Sequence, residues 1–478
     1  MFVDMTDPGA RPRARDGRSG RKPLSGTALV VASSVVVLLT AVVVLVLWWP
    51  ATKGLTGKEL VTARFDALRI GLSIGVGSGG VIVLYLAWRR QKSTEDTLAH
   101  QERVSEATEK DAAERRITDL YTKAADQLGS DKAPVRLAGL YALERLAQDN
   151  RAQRQTVVYV LCAYLRMPFD PPGARPRPHD DIEGDAGAEP ATEVNVVWEH
   201  EKYRELLADH RERAQEWEVR LTAQRLLSAH CRPGQGGVAN PVDTYWQGLE
   251  LDLTGAWLDG FDFDRCHVAT LSLKDARVSG DAMFNGADFS GSAWFDGAEF
   301  RGHAYFDQAK FGGDGMFNRV KFSRITRFTG AEFGGAVAFF DAVFGGETWF
   351  PEVKFGGNYA AFANARFGCD VKFGDAEFTG VTWFKGVVFS GAVRFDGAKF
   401  DDDASFIETE FNGEAAFPEV TFGGSAWFDL ARFGGDAMFG DAEFGGRVTA
   451  NGTTFSNGVP SELAAMRAAA SGGPSVHG

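Results

Sequence analysis

The sequence predicts three parts in series: a two-helix transmembrane hairpin, a small all-α cytoplasmic segment, and a four-sided β-helix of about 22 residues per coil. Three observations predict it. Two apolar stretches, 27–49 and 70–88, have basic outer flanks; apolar residues then fall at helical spacing to about residue 230; and from residue 253 large apolar residues recur every five or six positions. The composition points the same way. Of 478 residues 37 are Phe and only 9 Tyr, and such use of one aromatic implies a repeat that needs it. The four cysteines, Cys162, Cys231, Cys266 and Cys369, lie far apart with no C-x-x-C pair, which argues against a disulfide framework or structural zinc and fits a reducing compartment.

Residues 1–26 form a basic arm, with Arg11, Arg13, Arg15, Arg18, Arg21 and Lys22. The first span, 27–49, holds no charge, is about 35 Å long as a helix, and ends in Trp48 and Trp49, residues suited to a membrane interface. It is longer than a signal peptide's apolar region and lacks a small-residue cleavage site. Residues 50–69 are expected to form a short outside loop. In the second span, 70–88, Gly71, Gly75 and Gly79 share one helix face, which permits close packing and offers a surface for self-association. Arg89, Arg90 and Lys92 follow, so both termini are expected in the cytoplasm and the chain is expected to be multi-pass in the cell inner (cytoplasmic) membrane, with the lipid bilayer as a partner. The string Gly75-Val76-Gly77-Ser78-Gly79-Gly80 looks like a phosphate loop, but it lies within an apolar span with no preceding strand.

Residues 93–169 read as a helical cytoplasmic segment. Ile117, Leu120, Tyr121, Ala124 and Leu128 make an apolar stripe, Gly129 to Asp131 break it, and Pro134 is placed to open the next helix. A third helix is expected near 155–166. The Pro-rich and acidic stretch 170–197 reads as a flexible linker, and 198–232 as an amphipathic helix with Val219, Ala223, Leu226 and Leu227 on its apolar face. His200 and His210 do not match zinc-protease spacing, because Arg204 stands where a histidine is needed.

The solenoid is expected over 249–455, followed by a tail, 456–478. Leu253, Leu258, Phe263, Val268, Leu273 and Val278 are five apart; from Phe284 the steps alternate six and five to Phe444, with one seven-residue step from Phe355 to Phe362. This register takes 31 of the 37 Phe, and two places before each lies a small or modest residue such as Ala282, Ala293, Val337, Thr348 or Thr382. Pairing one large and one small inward residue on every short strand builds a column of rings once the strands stack. Gly-Gly pairs after Phe311, Phe333, Phe344, Phe355, Phe422, Phe433 and Phe444 are expected to supply positive φ at widened corners. The coil length follows from the outward residue before each Phe. At about 22 residues the series is Asp288, Lys310, Glu332, Lys354, Glu377, Lys399, in which every neighbour has opposite charge; at 11 residues Asp288 would lie beside Glu299 and Lys310 beside Lys321.

The five-residue unit, with a central Leu or Phe and a small residue two places earlier, resembles the pentapeptide-repeat family over about Leu253 to Phe455. The resemblance implies a right-handed quadrilateral β-helix. The layout, with LCAYLRMPF at 161–169 and VRLTAQRLLSAH at 219–230, is similar to membrane-anchored pentapeptide-repeat proteins of actinobacteria, a group that implies no catalytic motif.

No catalytic constellation, cofactor site or metal site is legible, and Cys266 reads as a core residue, so the chain is expected not to be an enzyme. A membrane-tethered scaffold or protein-interaction module is expected, with an unidentified cytoplasmic protein as partner and the outward Trp294, Trp383 and Trp427 on one side and Tyr305 and Trp349 on another as candidate contacts. Stacking of these aromatics along the coil is the competing reading. Residues 251–450 hold 30 acidic and 17 basic residues. Soluble family members that resemble DNA bind topoisomerases, so DNA mimicry is the alternative; the Lys and Glu alternation dilutes any negative stripe, and no nucleic-acid partner is expected.

Overall fold

The computed structural model describes residues 26–54, 57–176 and 193–461. The basic residues 11–22, most of the expected linker (177–192) and the end of the tail (462–478) lie outside the described residues, as do the side chains of Trp198 and His200. The chain divides into two units after Glu114.

In the first unit, α1 (Gly26–Thr52) is followed by a turn in which Gly54 and Gly57 take φ of 93° and 73°, and then by the start of α2 (Lys58–Leu128). The loop expected at 50–69 is therefore much shorter, because residues 58–69 are good helix formers and continue directly into the apolar stretch. Among the described residues one stretch, Ser33–Pro50 of α1, is long and apolar enough to cross a membrane. The stretch 70–88 lies within continuous helix and includes Gly71, Gly75 and Gly79. Two of these are turned toward α1: a Cβ on Gly71 would fall 2.2 Å from Val44 Cγ2, and one on Gly75 would fall 3.0 Å from Thr40 Cγ2. Glycine at these places lets the two helices approach closely.

The second unit begins with the end of α2 and continues through α3 (Ala133–Asp149), α4 (Arg154–Arg166) and α5 (Glu193–Cys231). Helix α5 starts a little before the expected residue 198. Leu128, Leu140, Leu143, Val158, Leu161, Leu165, Val219, Ala223 and Leu227 are buried in one core, so the α5 stripe packs with the preceding helices rather than apart from them. Gly139 permits the closest approach, since a Cβ there would lie 2.7 Å from the Leu128 backbone nitrogen. Arg220, almost fully buried, fastens the set: its Nε donates to Glu216 Oε1 (2.9 Å) and its terminal nitrogens donate to the carbonyls of Leu165 (3.0 Å) and Met167 (2.8 Å). Arg136 also pairs with Glu216 at 3.1 Å, and the Tyr164 hydroxyl donates to the same carboxylate. The conspicuous segments 161–169 and 219–230 thus meet in one ionic network.

Helices α4 and α5 pack on the first strands of the solenoid and cover its N-terminal end. Gln155 Nε2 donates to the Glu250 carbonyl at 2.8 Å, while Trp246 lies buried, stacked on His230 at 3.8 Å. Repeat folds need such a cover, because an end coil would otherwise expose its rings.

The solenoid is a β-helix of the right-handed type with about 9 coils of ~22 residues. Among the described residues it has four parallel sheets, here called faces in the order the chain visits them. Face A holds ten strands from Glu250–Asp252 to Val448–Thr449, and face B ten from Trp257–Leu258 to Thr454–Phe455. Face C holds eight from Ala282–Met283 to Ala437–Met438, and face D nine from His267–Val268 to Glu443–Phe444. Inside, equivalent rings of successive coils stack nearly parallel: Phe284 on Phe306 at 4.7 Å, Phe295 on Phe317 at 4.5 Å, Phe344 on Phe367 at 4.5 Å. Rings of adjoining columns meet edge to face, as Phe284 and Phe295 do at 5.7 Å and 88°. Both are favoured aromatic geometries, and each buried Phe adds roughly 1.5–3 kcal/mol. The preceding small residues, Ala282, Ala293, Val337, Thr348 and Thr382 among them, are fully buried as well.

The corners differ from expectation. None of the Gly-Gly pairs has positive φ. Left-handed backbone falls instead two residues after every second Phe, in the five-residue steps: Gly286, Gly297, Gln308, Arg319, Gly330, Asp341 and so on to Leu430 and Asp441. The Gly-Gly pairs answer a different constraint, the approach of one coil's backbone to the next. A Cβ on Gly357 would lie 2.0 Å from the Gly335 carbonyl oxygen, and one on Gly335 would lie 2.5 Å from Gly313 C and O.

Two predictions follow from the two corner types. Gly357→Ala should destabilise the solenoid by more than about 1 kcal/mol, because its methyl group meets backbone rather than a movable side chain, whereas Gly440→Ala, with nothing within 4 Å, should be close to neutral; denaturant unfolding followed by tryptophan fluorescence compares them. Leu430, exposed at φ 60°, carries the left-handed penalty of roughly 1–2 kcal/mol, so Leu430→Gly should raise stability by about 0.5–1 kcal/mol in the same assay, and a loss would contradict the assigned strain.

Candidate interaction surface

Every strand presents one outward residue between two inward ones, and the register stacks these into a column on each face. On face D the column places Asp288, Lys310, Glu332, Lys354, Glu377 and Lys399 on successive strands. Lys310 Nζ lies 3.6 Å from Glu332 Oε2, and His267 Nδ1 lies 3.5 Å from Asp288 Oδ2 at the head of the column. On face B, Lys321 pairs with Glu299 at 2.9 Å and Arg432 with Glu410 at 3.1 Å. The hydrogen bond from Lys321 is the main reason the Glu299 carboxyl is held below its ordinary value. Exposed pairs of this kind contribute little energy each; their effect is to penalise misregister, which would set like charges together.

Part of the rod's acidity has a structural use at its corners. Asp281, Asp307, Asp314, Asp370, Asp403 and Asp429 each accept, through Oδ1, a backbone N–H of the next coil at 2.7–3.0 Å. Asn285 and Asn318 do the same one coil below Asp307 and Phe340. Within the run Asp401 to Asp403, Asp403 is such an acceptor, while Asp401 and Asp402 are exposed.

On face C the outward aromatics are held by cations. Arg327 lies over the rings of both Tyr305 (5.9 Å) and Trp349 (5.5 Å), and Lys372 lies over Trp349 at 4.5 Å. Arg327 also pairs with Asp307 at 2.7 Å. Tyr305 and Trp349 are therefore half-buried members of a cation–π ladder along the coil.

Face A differs from the other three. Its outward column starts at Asp252, which pairs with Arg166 of the helical cover, and from there runs Ser272, Trp294, Met316, Ala338, Ala361, Trp383, Ser405, Trp427 and Thr449 without a charged residue. Trp294, Trp383 and Trp427 share this column but are not adjacent in it; Lys274 Nζ covers Trp294 at 5.1 Å. Trp383, 36% exposed, stacks on Tyr359 at 5.4 Å. The seven-residue step explains that contact. It adds one residue on this face, lengthening two strands to Tyr359–Ala361 and Val381–Trp383 and pairing Val337 with Ala360, one place beyond the usual offset. Phe340, outside the core register, and Ile407 are half-buried on flanking corners of the same face. Sequence reasoning overlooked Phe340, Tyr359, Val381 and Ile407. Their signals were the slip itself and a Phe directly following the inward Phe339.

The family described as Pentapeptide repeats (9 copies) matches residues 263–310, 284–332 and 384–429. The β-helical segment is a pentapeptide-repeat solenoid. No curated protein and no solved structure matches the chain. The matched segments stop at 332 and resume at 384, and the slip, Phe340, Tyr359 and Trp383 lie in the unmatched stretch between them.

Reactive groups in the pentapeptide-repeat solenoid and its helical cover are placed as structure. Burial pushes the Cys162 thiol up to about 12 and raises those of Cys231 and Cys266 as well, which disfavours the thiolate that nucleophilic chemistry needs. Cys369 is half-buried, its Sγ 3.4 Å from the Gly345 carbonyl. His230 lies between the Thr244 carbonyl (2.6 Å from Nδ1) and Glu144 (2.9 Å from Nε2), under Trp246. Among the described residues no group of three or more His, Cys, Asp or Glu is placed to hold a metal ion.

Proposed function

We propose that this chain is a non-catalytic, membrane-tethered scaffold whose pentapeptide-repeat rod presents face A to a cytoplasmic protein. The observation that carries the reading is the contrast between faces: three bear charged columns along their length, while the face A column is uncharged from Ser272 onward and holds the exposed Trp383 beside Tyr359. An uncharged aromatic patch surrounded by polar surface is the kind of place where binding energy concentrates. The tether in this reading is a hairpin of α1 and the first half of α2, supported by the apolar length of α1 and by the close approach of Gly71 and Gly75 to it. Both ends then lie in the cytoplasm, with Lys53 and Gly54 outside the inner membrane. DNA mimicry is disfavoured by the charge alternation on face D, which breaks up any continuous negative stripe there.

Topology is tested with Lys53→Cys in a Cys369→Ser background and a membrane-impermeant maleimide. Labelling from the outside supports the hairpin, and labelling from the cytoplasmic side alone rules it out. The binding reading is tested by immobilising the full chain in detergent and measuring partner capture between about 0.05 and 0.5 M salt. Capture should tolerate salt, survive Asp401→Asn with Asp402→Asn, and fall at least tenfold with Trp383→Ala. Capture that collapses with salt and follows the acidic run, together with inhibition of DNA gyrase, would favour mimicry instead.

A further inference from the structure

The uncharged face has a second property, independent of any other protein. Two copies of this rod repel, since each carries 30 acidic against 17 basic residues over 251–450. Their pairing therefore depends on which column meets which. In a parallel, two-fold pairing the axis runs along the rod, and the central column of a face meets itself. On face D that sets Lys310 on Lys310, on face B Glu299 on Glu299, and on face C Arg327 on Arg327. From Ser272 onward face A has no charge in its column to oppose to its own copy, and the one charge at its head, Asp252, is paired with Arg166.

The flanking positions of face A suit the same arrangement. The two-fold exchanges the position before each strand with the position after it, coil by coil. Phe340 of one copy then meets small Ala336 of the other, and Tyr359 meets Ala363, large against small. An antiparallel pairing centred on the same patch would instead set Asp296 against Asp429 and Asp314 against Asp403. From the coil containing Ser272 to the one containing Thr449 the face spans nine strands, about 38 Å at ~4.8 Å per strand and roughly 16 Å wide, so a pair would cover about 1,200 Å² in total. That is the lower bound for a stable interface, and it implies a dimer that forms and separates with concentration.

We infer that two copies of this chain associate side by side and parallel through face A, around Phe340, Tyr359 and Trp383, as a closed isologous dimer. This goes beyond the scaffold reading, which needs only some protein on that face.

The test uses the full chain in detergent micelles with Cys369→Ser. Met316→Cys, on the face A column, should form an intermolecular disulfide on mild oxidation, and Lys354→Cys, on face D, should not. Adding Trp383→Glu should reduce the Met316→Cys crosslink at least tenfold, since two carboxylates would then be opposed; Trp383 is exposed, and circular dichroism checks that the rod remains folded. Pairing through the apolar helices alone would leave the crosslink unchanged by Trp383→Glu and would overturn the proposal. So would equal crosslinking at Met316→Cys and Lys354→Cys, or a crosslink that needs Met316→Cys on one copy and Ser405→Cys on the other, the signature of antiparallel pairing. Monomers at every concentration, with partner capture still dependent on Trp383, would remove the dimer and leave the scaffold reading standing. A Trp383-dependent dimer with no salt-tolerant capture would do the reverse.

Discussion

Successive coils of the solenoid are joined by backbone hydrogen bonds, and that spacing governs nearly everything else about the rod. Parallel strands sit about 4.8 Å apart. From Phe284 onward, phenylalanine rings repeated at the same interval fall at 4.5–5.4 Å from their equivalents, close to the distance at which aromatic faces stack. A strand of two residues cannot bury a face by itself, so the hydrogen bonds and the ring columns depend on each other. The chain gains a core only by winding, and it winds in register only because every coil offers a large and a small inward residue at the same four places.

The same spacing accounts for the surface. At the wide corners the backbone of one coil passes close to the last, so close at Gly335 and Gly357 that a Cβ would meet backbone; at the tight corners a left-handed residue turns the chain, and glycine is optional there. Aspartate side chains accept backbone N–H groups one coil onward, which makes part of the rod's negative charge a by-product of corner construction. Outward columns must tolerate their own repetition. Faces B and D do so by alternating sign, face C by setting Arg327 and Lys372 over Tyr305 and Trp349, and face A by keeping its column free of charge from Ser272 onward.

The place where the repeat loses its period is also where the surface gains a distinctive feature. One additional residue between Phe355 and Phe362 leaves both inward rings in their columns, with Phe339 stacked on Phe362 at 4.9 Å, and sends the excess outward as Tyr359 against Trp383. A solenoid absorbs an insertion this way because each coil contacts only its neighbours, so a local bulge need not propagate. The N-terminal end is handled differently, by a helical cover fixed through Arg220 and Glu216.

By itself the sequence determined the coil length, the inward residues and the facing of the Asp288 to Lys399 column, because a strict period leaves a side chain no choice of direction once its neighbours stack. It also determined the apolar character of α1 and the helices around it. Only the tertiary structure decided the features that depend on distances between residues remote in the chain: that the glycine pairs serve close approach rather than positive φ, that α5 joins α3 and α4 in one core, that Gly71 and Gly75 lie against Thr40 and Val44, and that Phe340, Tyr359 and Trp383 share a face. Periodicity fixes direction along one coil, whereas these contacts arise from how coils and helices are spaced against one another, and that information is carried by packing rather than by pattern.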